Sequence, residues 1–78
     1  MATLRLFAAA RDAAGVGHEH IDESTVAAVL AVAVSKYGPT FESVLPSCRV
    51  WVNGEPADLH TAVGERDEVA VLPPVSGG

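Results

Sequence analysis

The feature that most constrains this chain is a short apolar run that a pair of prolines brings to an end. Residues 68–72 have the sequence Glu-Val-Ala-Val-Leu, which is typical of a largely buried β-strand. Pro73 and Pro74 fix φ and remove two backbone donors. The strand must therefore end at Leu72, and the chain must leave the sheet directly after it.

What leaves the sheet is a tail, from Pro73 to Gly78, that carries no bulky side chain. Six extended residues reach roughly 20 Å at ~3.3 Å each. Terminal glycines add nothing to a hydrophobic core and are costly to order. One interpretation is a frayed chain end. The other is that the terminal carboxylate of Gly78 is the reacting group, and that the glycines let it thread into a narrow site on a partner.

Length and composition predict one small domain over residues 1–78 with a packed core. The chain has 78 residues, of which 49% are hydrophobic, and this favours burial over disorder. Its net charge of −5 argues against nucleic-acid binding and suits partners with basic docking faces. No apolar run approaches the ~18 residues that span a bilayer, and the first residues lack the layout of a signal peptide. We therefore expect a soluble, cytoplasmic protein without membrane contact.

The clearest predicted element is a helix that begins after Ser24 or Thr25, either of which can act as its N-cap. Gly38 followed by Pro39 is a strong stop at its other end. Apolar residues recur on one face of this helix at helical spacing: Val26, Val29, Leu30, Ala33, Val34 and Tyr37.

The other segments predict short strands and turns around this helix. In chain order we expect a strand at 3–7, a helical turn at 8–14 ended by Gly15, an edge strand at 16–22, a helical turn at 41–45, a strand at 48–53, a hairpin arm at 55–57 and the last strand at 68–72. Leu59 and Val63 are expected to plug the core before the last strand. The order predicts an α+β fold, a mixed sheet of about five strands with one main helix packed on one face.

Strand alternation predicts an apolar set on the sheet face that the helix does not cover. Phe7, Trp51 and Leu72 are out of phase with the residues that point toward the helix. The inward positions are Leu4, Leu6, Val50, Val52, Val69 and Val71. Exposed aromatic patches usually mark interfaces, so these three residues are predicted to dock a partner, and a loop that crosses over them is the alternative.

The residues offer little to an enzyme that would act alone. His18 and His20 share one side of the edge strand, but two ligands do not make a metal site and His60 is distant in sequence, so no metal is expected. Cys48 has no neighbouring base, and a buried or half-buried thiol is the favoured interpretation. The chain has no glycine-rich phosphate loop and no paired carboxylates at a defined site.

A resemblance to a known family is carried by residues at the start, in the third strand and at the end of the chain: Leu6-Phe7-Ala8, Arg11-Asp12 and Gly15, then Val52-Asn53, then Asp67-Glu68-Val69 and Leu72-Pro73-Pro74-Val75-Ser76-Gly77-Gly78. With these residues the sequence as a whole resembles the sulfur-carrier branch of the ubiquitin-like β-grasp superfamily, which includes the small subunits of molybdopterin synthases. One departure is the turn before the last strand, where Glu65-Arg66-Asp67 replaces an Asp-Gly-Asp-like sequence. Ferredoxins share the β-grasp, but one cysteine cannot hold their cluster.

The resemblance implies a mechanism in which the chain carries sulfur and its partners supply the catalytic groups. An adenylating enzyme of the ubiquitin-activating type would use ATP to convert Gly78 to an acyl-adenylate, and a sulfur donor would leave a thiocarboxylate. The large synthase subunit would then receive the tail in a hetero-oligomer and pass sulfur to a pyranopterin precursor of the molybdenum cofactor. No cofactor would be bound permanently. Val75, Ser76 and Gly77 would thread the partner site, and the docking set would be Phe7, Trp51, Leu72, Pro73 and Pro74, with residues 73–78 as an extended flexible tail.

Two other functions remain open at this point. The same chemistry could serve thiazole or cysteine biosynthesis, although the Pro-Pro-Val-Ser ending favours the pterin pathway. A β-grasp binding module or protein modifier, whose tail is conjugated or inert, belongs to a different class and also ends in Gly-Gly.

Overall fold

The fold is built on a mixed sheet of five strands, seen in a computed structural model that describes residues 1–73. The strands are β1 (Ala2–Leu6), β2 (His18–Ile21), β3 (Arg49–Val52), β4 (Glu55–Pro56) and β5 (Glu68–Leu72). They lie side by side in the order β2-β1-β5-β3-β4. β1 and β5 are parallel, and the other neighbouring pairs are antiparallel.

Three α-helices accompany the sheet within the described residues. They are α1 (Ala8–Ala14), α2 (Val26–Tyr37) and α3 (Pro39–Val44), and a 3₁₀ turn, Leu45–Ser47, follows α3. The predicted α+β architecture with one main helix across one face is therefore confirmed. None of the helices in residues 1–73 is long and apolar enough to cross a membrane.

The main helix α2 forms where the sequence predicts it, and its caps explain why. The Thr25 hydroxyl accepts the backbone N–H of Ala28 at 3.2 Å, so Thr25 rather than Ser24 is the N-cap. At the other end the Gly38 N–H donates to the carbonyl of Val34 at 2.9 Å, with φ of 90° at Gly38. A side chain would be strained at that φ, so glycine fits the stop.

The core forms between α2 and the inward face of the sheet. From the helix it takes Val26, Val29, Leu30 and Ala33, and from the two central strands Leu4, Leu6, Val69 and Val71. All of these side chains are buried. Phe41 is also fully buried and packs edge-on against Tyr37, with ring centroids 5.2 Å apart. The sequence predicted only a helical turn there, because a six-residue helix is too short for periodicity to show which residue faces inward.

Two details of the prediction were wrong. β2 begins at His18 rather than Val16: the pairing with β1 reaches back only to Gly17, whose carbonyl accepts the N–H of Leu6 at 2.9 Å, and Val16 is exposed. Leu59 does not plug the core: it is 54% exposed, whereas Val63 is buried as expected. The Leu59 carbonyl accepts the N–H of Ala27 at 3.0 Å, so the backbone at Leu59, rather than its side chain, ties this segment to the start of α2.

The edge strand β2 contributes one residue, Ile21, to the core, and polar contacts to the helix add to its hold. Glu19 points to the helix side and accepts the hydroxyl of Tyr37 with one carboxylate oxygen, while the other oxygen pairs with Lys36. Burial raises the pKa of Tyr37, which keeps its hydroxyl protonated as a donor. The contacts explain how a strand with few apolar residues stays on the sheet.

The turn that departs from the family pattern is closed by Asp67. Its carboxylate accepts the backbone N–H of Gly64 at 2.7 Å and the side-chain amide of Asn53 at 2.9 Å. Asn53 sits in the β3–β4 hairpin turn, where it and Gly54 have φ of 51° and 84°, the geometry that favours Asn-Gly. The Asn53 amide oxygen in turn accepts the N–H of Glu68 at 2.9 Å, so this cluster joins the hairpin to the start of β5.

Replacing a buried residue of α2 should cost far more stability than replacing an exposed neighbour. Leu30→Ala is expected to lower the free energy of unfolding by roughly 2–5 kcal/mol, because Leu30 lies in the core. Ala31→Ser, at an exposed position, is expected to cost about 0.5 kcal/mol. Urea unfolding followed by circular dichroism compares the two. Equal costs would mean that the helix does not pack on this face.

Acid should weaken the fold through Asp67. The hydrogen bond from Asn53, and then the one from Gly64, lower the pKa of Asp67 below its ordinary value. The carboxylate therefore stabilises the fold above the ordinary aspartate pKa of about 3.9, and this contribution disappears as pH falls through the lower pKa of the folded state. Asp67→Asn is expected to be less stable than wild type at pH 7 and to approach it near pH 2. Parallel stability curves from pH 7 to pH 2 would contradict this role.

Candidate functional site: the outer sheet face and the base of the tail

The sheet has one face that α2 does not cover, which we call the outer face. Strand alternation and the observed register assign its members: Thr3, Arg5, His18, His20, Arg49, Trp51, Pro56, Glu68, Ala70 and Leu72. Their inward neighbours on the central strands, Leu4, Leu6, Val69 and Val71, are buried. The predicted inward and outward phases are therefore correct.

Phe7 and Leu72 meet at the end of the sheet from which the tail departs. The N–H of Phe7 donates to the carbonyl of Val71 at 3.2 Å, which extends the parallel β1–β5 pairing by one residue. Since Leu6 is in register with Val71, Phe7 comes level with Leu72. The Phe7 side chain is 42% exposed and Leu72 is partly exposed. A large apolar side chain thus stands beside the last strand residue before the prolines.

Trp51 lies one step further into the outer face. It is in register with Ala70 on one side and with Pro56 on the other, and it remains partly exposed. Ala70 carries only a methyl group, so no bulky side chain of β5 lies level with the indole. No segment of residues 1–73 buries Phe7, Trp51 or Leu72, and the alternative of a crossing loop is not supported there.

An open cleft of about 450 Å³ lies beside Trp51. It forms between β3 and the chain that follows the short strand β4. Its walls come from β3 and from the segment after β4: Cys48, Arg49, Val50, Trp51, Pro56, Ala57, Asp58 and Leu59. Leu59 therefore lines a surface cleft instead of the core. Pro56 was not predicted as a site residue, because a two-residue strand shows no alternation from which its face could be read.

The charges of the outer face are sparse. Arg5 pairs with Glu68 through Nε and Oε2 at 2.6 Å, an exposed contact of the kind that contributes little to stability. Arg49 is exposed, and no carboxylate of residues 1–73 comes within 4.0 Å of its guanidinium. His20 Nδ1 lies 3.2 Å from the hydroxyl of Thr3. Hydrogen bonding and ion pairing thus occupy part of this face and leave Arg49 exposed to solvent.

The remaining candidate groups do not assemble into a catalytic site. The His18 and His20 rings are 6.5 Å apart, and residues 1–73 contain no cluster of three side chains of the kinds that hold metal ions. Cys48 is half-buried, its thiol lies 3.5 Å from the carbonyl of Val44, and burial raises its pKa. A thiol with a raised pKa is mostly protonated at neutral pH and is a weak nucleophile.

Of the predicted tail residues, the structure describes Pro73, which lies beyond β5 and is exposed. Pro74, Val75, Ser76, Gly77 and Gly78 lie outside the described residues, and their assigned roles stay predictions. The docking roles of Phe7, Trp51 and Leu72 also stay predictions. What the fold provides is their position: they lie on one face, and Phe7 and Leu72 lie at the base of the tail.

Comparison with known proteins identifies the family of this chain. The model of the ThiS family matches residues 4–78. The molybdopterin synthase sulfur carrier subunit of Phaeosphaeria nodorum is 37% identical over 81 residues, an alignment that covers 92% of this chain and 84% of that protein.

Solved structures give the same fold, the ubiquitin-like β-grasp. SAMP1 from Haloferax volcanii superposes with a TM-score of 0.85 at 33% identity, over 99% of this chain and 98% of that one. A complex of subunits 1 and 2 of the molybdopterin-converting factor from Helicobacter pylori contains a chain that superposes with a TM-score of 0.74 at 23% identity, over 99% and 97%. The family match over almost the whole length and the 37% identity lead to one conclusion: the chain belongs to the ThiS family.

Proposed function

We propose that this chain is the sulfur-carrier subunit of a molybdopterin synthase. The observation that carries the proposal is the exposed Phe7–Leu72 pair at the base of a Pro-Pro-Val-Ser-Gly-Gly ending. The chain is also 37% identical to a protein of that function. A tail that must enter a partner's active site needs its base held, because otherwise each encounter orders the tail with no contact energy to offset the cost. The outer face supplies such a hold.

The chemistry follows from the weakness of a carboxylate as an electrophile. An adenylating enzyme joins the Gly78 carboxylate to the α-phosphorus of ATP and releases pyrophosphate. A sulfur donor then attacks the acyl carbon and displaces AMP, which leaves a thiocarboxylate at Gly78. In the synthase this sulfur is transferred to a pyranopterin phosphate, where it becomes part of the dithiolene that holds molybdenum.

In this scheme the chain is a donor rather than a catalyst. The protein's own contribution in this proposal is docking and delivery. The large subunit and the adenylating enzyme bring the catalytic groups, and the working unit is a hetero-oligomer. The outer face docks the large subunit in this proposal, and Pro73, which has no backbone N–H to donate, follows directly on β5.

A second candidate is a protein modifier, and one observation favours it. The similarity to SAMP1, whose full name describes a small archaeal modifier protein, reaches 33% identity. Carriers and modifiers share the fold and the Gly-Gly ending, so their partners distinguish them. Purification of the tagged chain from its own host should recover the large subunit of a pterin synthase. Recovery of lysine-linked adducts alone would favour the modifier.

Activation should occur at Gly78. Incubation with ATP, the adenylating enzyme and a sulfur donor is expected to add the mass of one oxygen-to-sulfur exchange to the C-terminal peptide, measured by intact and peptide mass spectrometry. Cys48→Ser is the matched control and should gain the same increment, because the half-buried thiol takes no part. A label on Cys48 with none on Gly78 would refute the assignment.

Removal of the last two residues separates this role from folding. A chain without Gly77 and Gly78 is expected to lose sulfur transfer completely and to keep its thermal unfolding midpoint nearly unchanged, since the core among residues 1–73 is already well packed and glycines carry no side chain to add to it. A large fall in the midpoint would mean that the tail contributes to the fold.

Docking should depend on the apolar base of the tail. Phe7→Ala is expected to weaken binding to the large subunit by roughly 30-fold, because a buried aromatic anchor contributes about 2 kcal/mol or more. Leu72→Ala should act in the same direction but less strongly. Ala31→Ser, at an exposed position of α2 on the opposite side of the sheet from the outer face, is the control and should change affinity by less than about 3-fold.

Calorimetric titration of each variant measures these affinities, and circular dichroism confirms folding. A folded Phe7→Ala protein with wild-type affinity would remove the outer face from the docking mechanism.

A further inference from the structure

Arg49 occupies a distinctive place on the outer face. It is the first residue of β3 and is in register with Leu72, the last residue of β5. Its neighbours along the face are therefore Leu72 across the strand pair and Trp51 two residues on. Arg49 thus stands at the point where the described strand β5 ends, next to two members of the predicted docking set.

The charge pattern around Arg49 differs from that of the rest of the protein. The chain carries ten Asp and Glu residues and five Lys and Arg residues. Of these the outer face holds one carboxylate, Glu68, and two guanidinium groups, on Arg5 and Arg49. An acidic protein thus presents its sheet face with a small excess of positive charge. This face is therefore suited to an acidic partner surface, and not to the basic one that the net charge suggests.

The two guanidinium groups are not equivalent. Arg5 is already paired with Glu68, whereas Arg49 has no carboxylate within 4.0 Å among residues 1–73. Asp58 lines the same cleft as Arg49, but its Oδ1 accepts the N–H of His60 at 2.8 Å within its own turn. Arg49 is therefore the cation of this face that is available to a partner.

We propose that Arg49 pairs with a carboxylate of the large synthase subunit and sets the orientation in which the tail base docks. This rests on the proposed function, and it identifies the chemistry of the partner surface: an acidic side chain next to an apolar site for Phe7 and Leu72. Arginine suits the role because its planar fork binds a carboxylate through two parallel hydrogen bonds. The apolar contacts hold the base of the tail, and the ion pair fixes its direction.

An exposed charge at the margin of an interface acts mainly on the rate of association and on its salt dependence. Arg49→Glu is expected to slow association with the large subunit about 10-fold or more at low salt. The effect should shrink as salt rises, because screening shortens the reach of the charge to ~3 Å at 1 M. Arg49→Lys keeps the charge but loses the fork, so it should associate at nearly the wild-type rate and dissociate faster.

Arg66→Glu is the matched control. It makes the same change in net charge at an exposed residue of the turn that precedes β5, at the opposite end of the sheet from the tail. Its association rate is expected to stay within about 2-fold of wild type, since it lies far from the docking set.

Stopped-flow association of the full-length chain with the large subunit, at about 0.05 M and about 0.5 M NaCl, makes the comparison, with circular dichroism on every variant. Equal slowing by Arg49→Glu and Arg66→Glu would overturn the proposal, because net charge alone would then explain it. So would an unchanged rate for Arg49→Glu. If wild type itself does not bind the large subunit, the proposed function fails instead, and the two failures are distinguishable.

Discussion

The parallel pairing of β1 with β5 is the contact on which the rest of the structure depends. It places the two ends of the described chain side by side at the centre of the sheet, with Leu4 next to Val69 and Leu6 next to Val71. All four side chains are buried beneath α2. The chain must therefore pass from β2 on one edge of the sheet to β3 and β4 on the other side. The helix makes that crossing, and the core forms under it.

This pairing also explains why the site lies where it does. A tail that follows an edge strand would leave from the margin of the molecule, where few side chains can flank it. Here the tail follows a central strand, so Phe7 from β1's end and Arg49 from β3 stand on either side of Leu72. The base of the tail is flanked by two different elements. Residues distant in sequence become one surface through a register that only the folded sheet provides.

Local patterns predicted most elements, because alternation and helical spacing are local properties. They gave α2 with its cap and stop, the outward phase of Trp51 and the Asn53-Gly54 hairpin. Strand order and register depend on pairing between distant segments, and these do not follow from periodicity. For the same reason Phe41 was not recognised as a core residue, and Leu59 was assigned to the core although only its backbone is tied to α2.

In the candidate site, too, local patterns predicted some features and strand pairing determined the others. Alternation predicted that Phe7, Trp51 and Leu72 share a face, and the register agrees. Arg49 is out of phase with the inward Val50 by the same rule, but only pairing revealed that it lies beside Leu72, with no carboxylate of residues 1–73 paired to it. Pro56 joined the face through its pairing with Trp51, which no local pattern indicates. The face on which a residue lies was thus predictable from the sequence, whereas its neighbours on other strands were not.

The two edges of the sheet have a consequence for self-association. β4 is two residues long and ends in Pro56, which has no N–H to offer to an added strand, and β2 carries His18, Glu19 and His20 in four residues. Short, polar or proline-containing edges resist the edge-to-edge pairing that leads to aggregation. The edges therefore oppose growth into extended sheets, and contact between copies is left to the outer face alone.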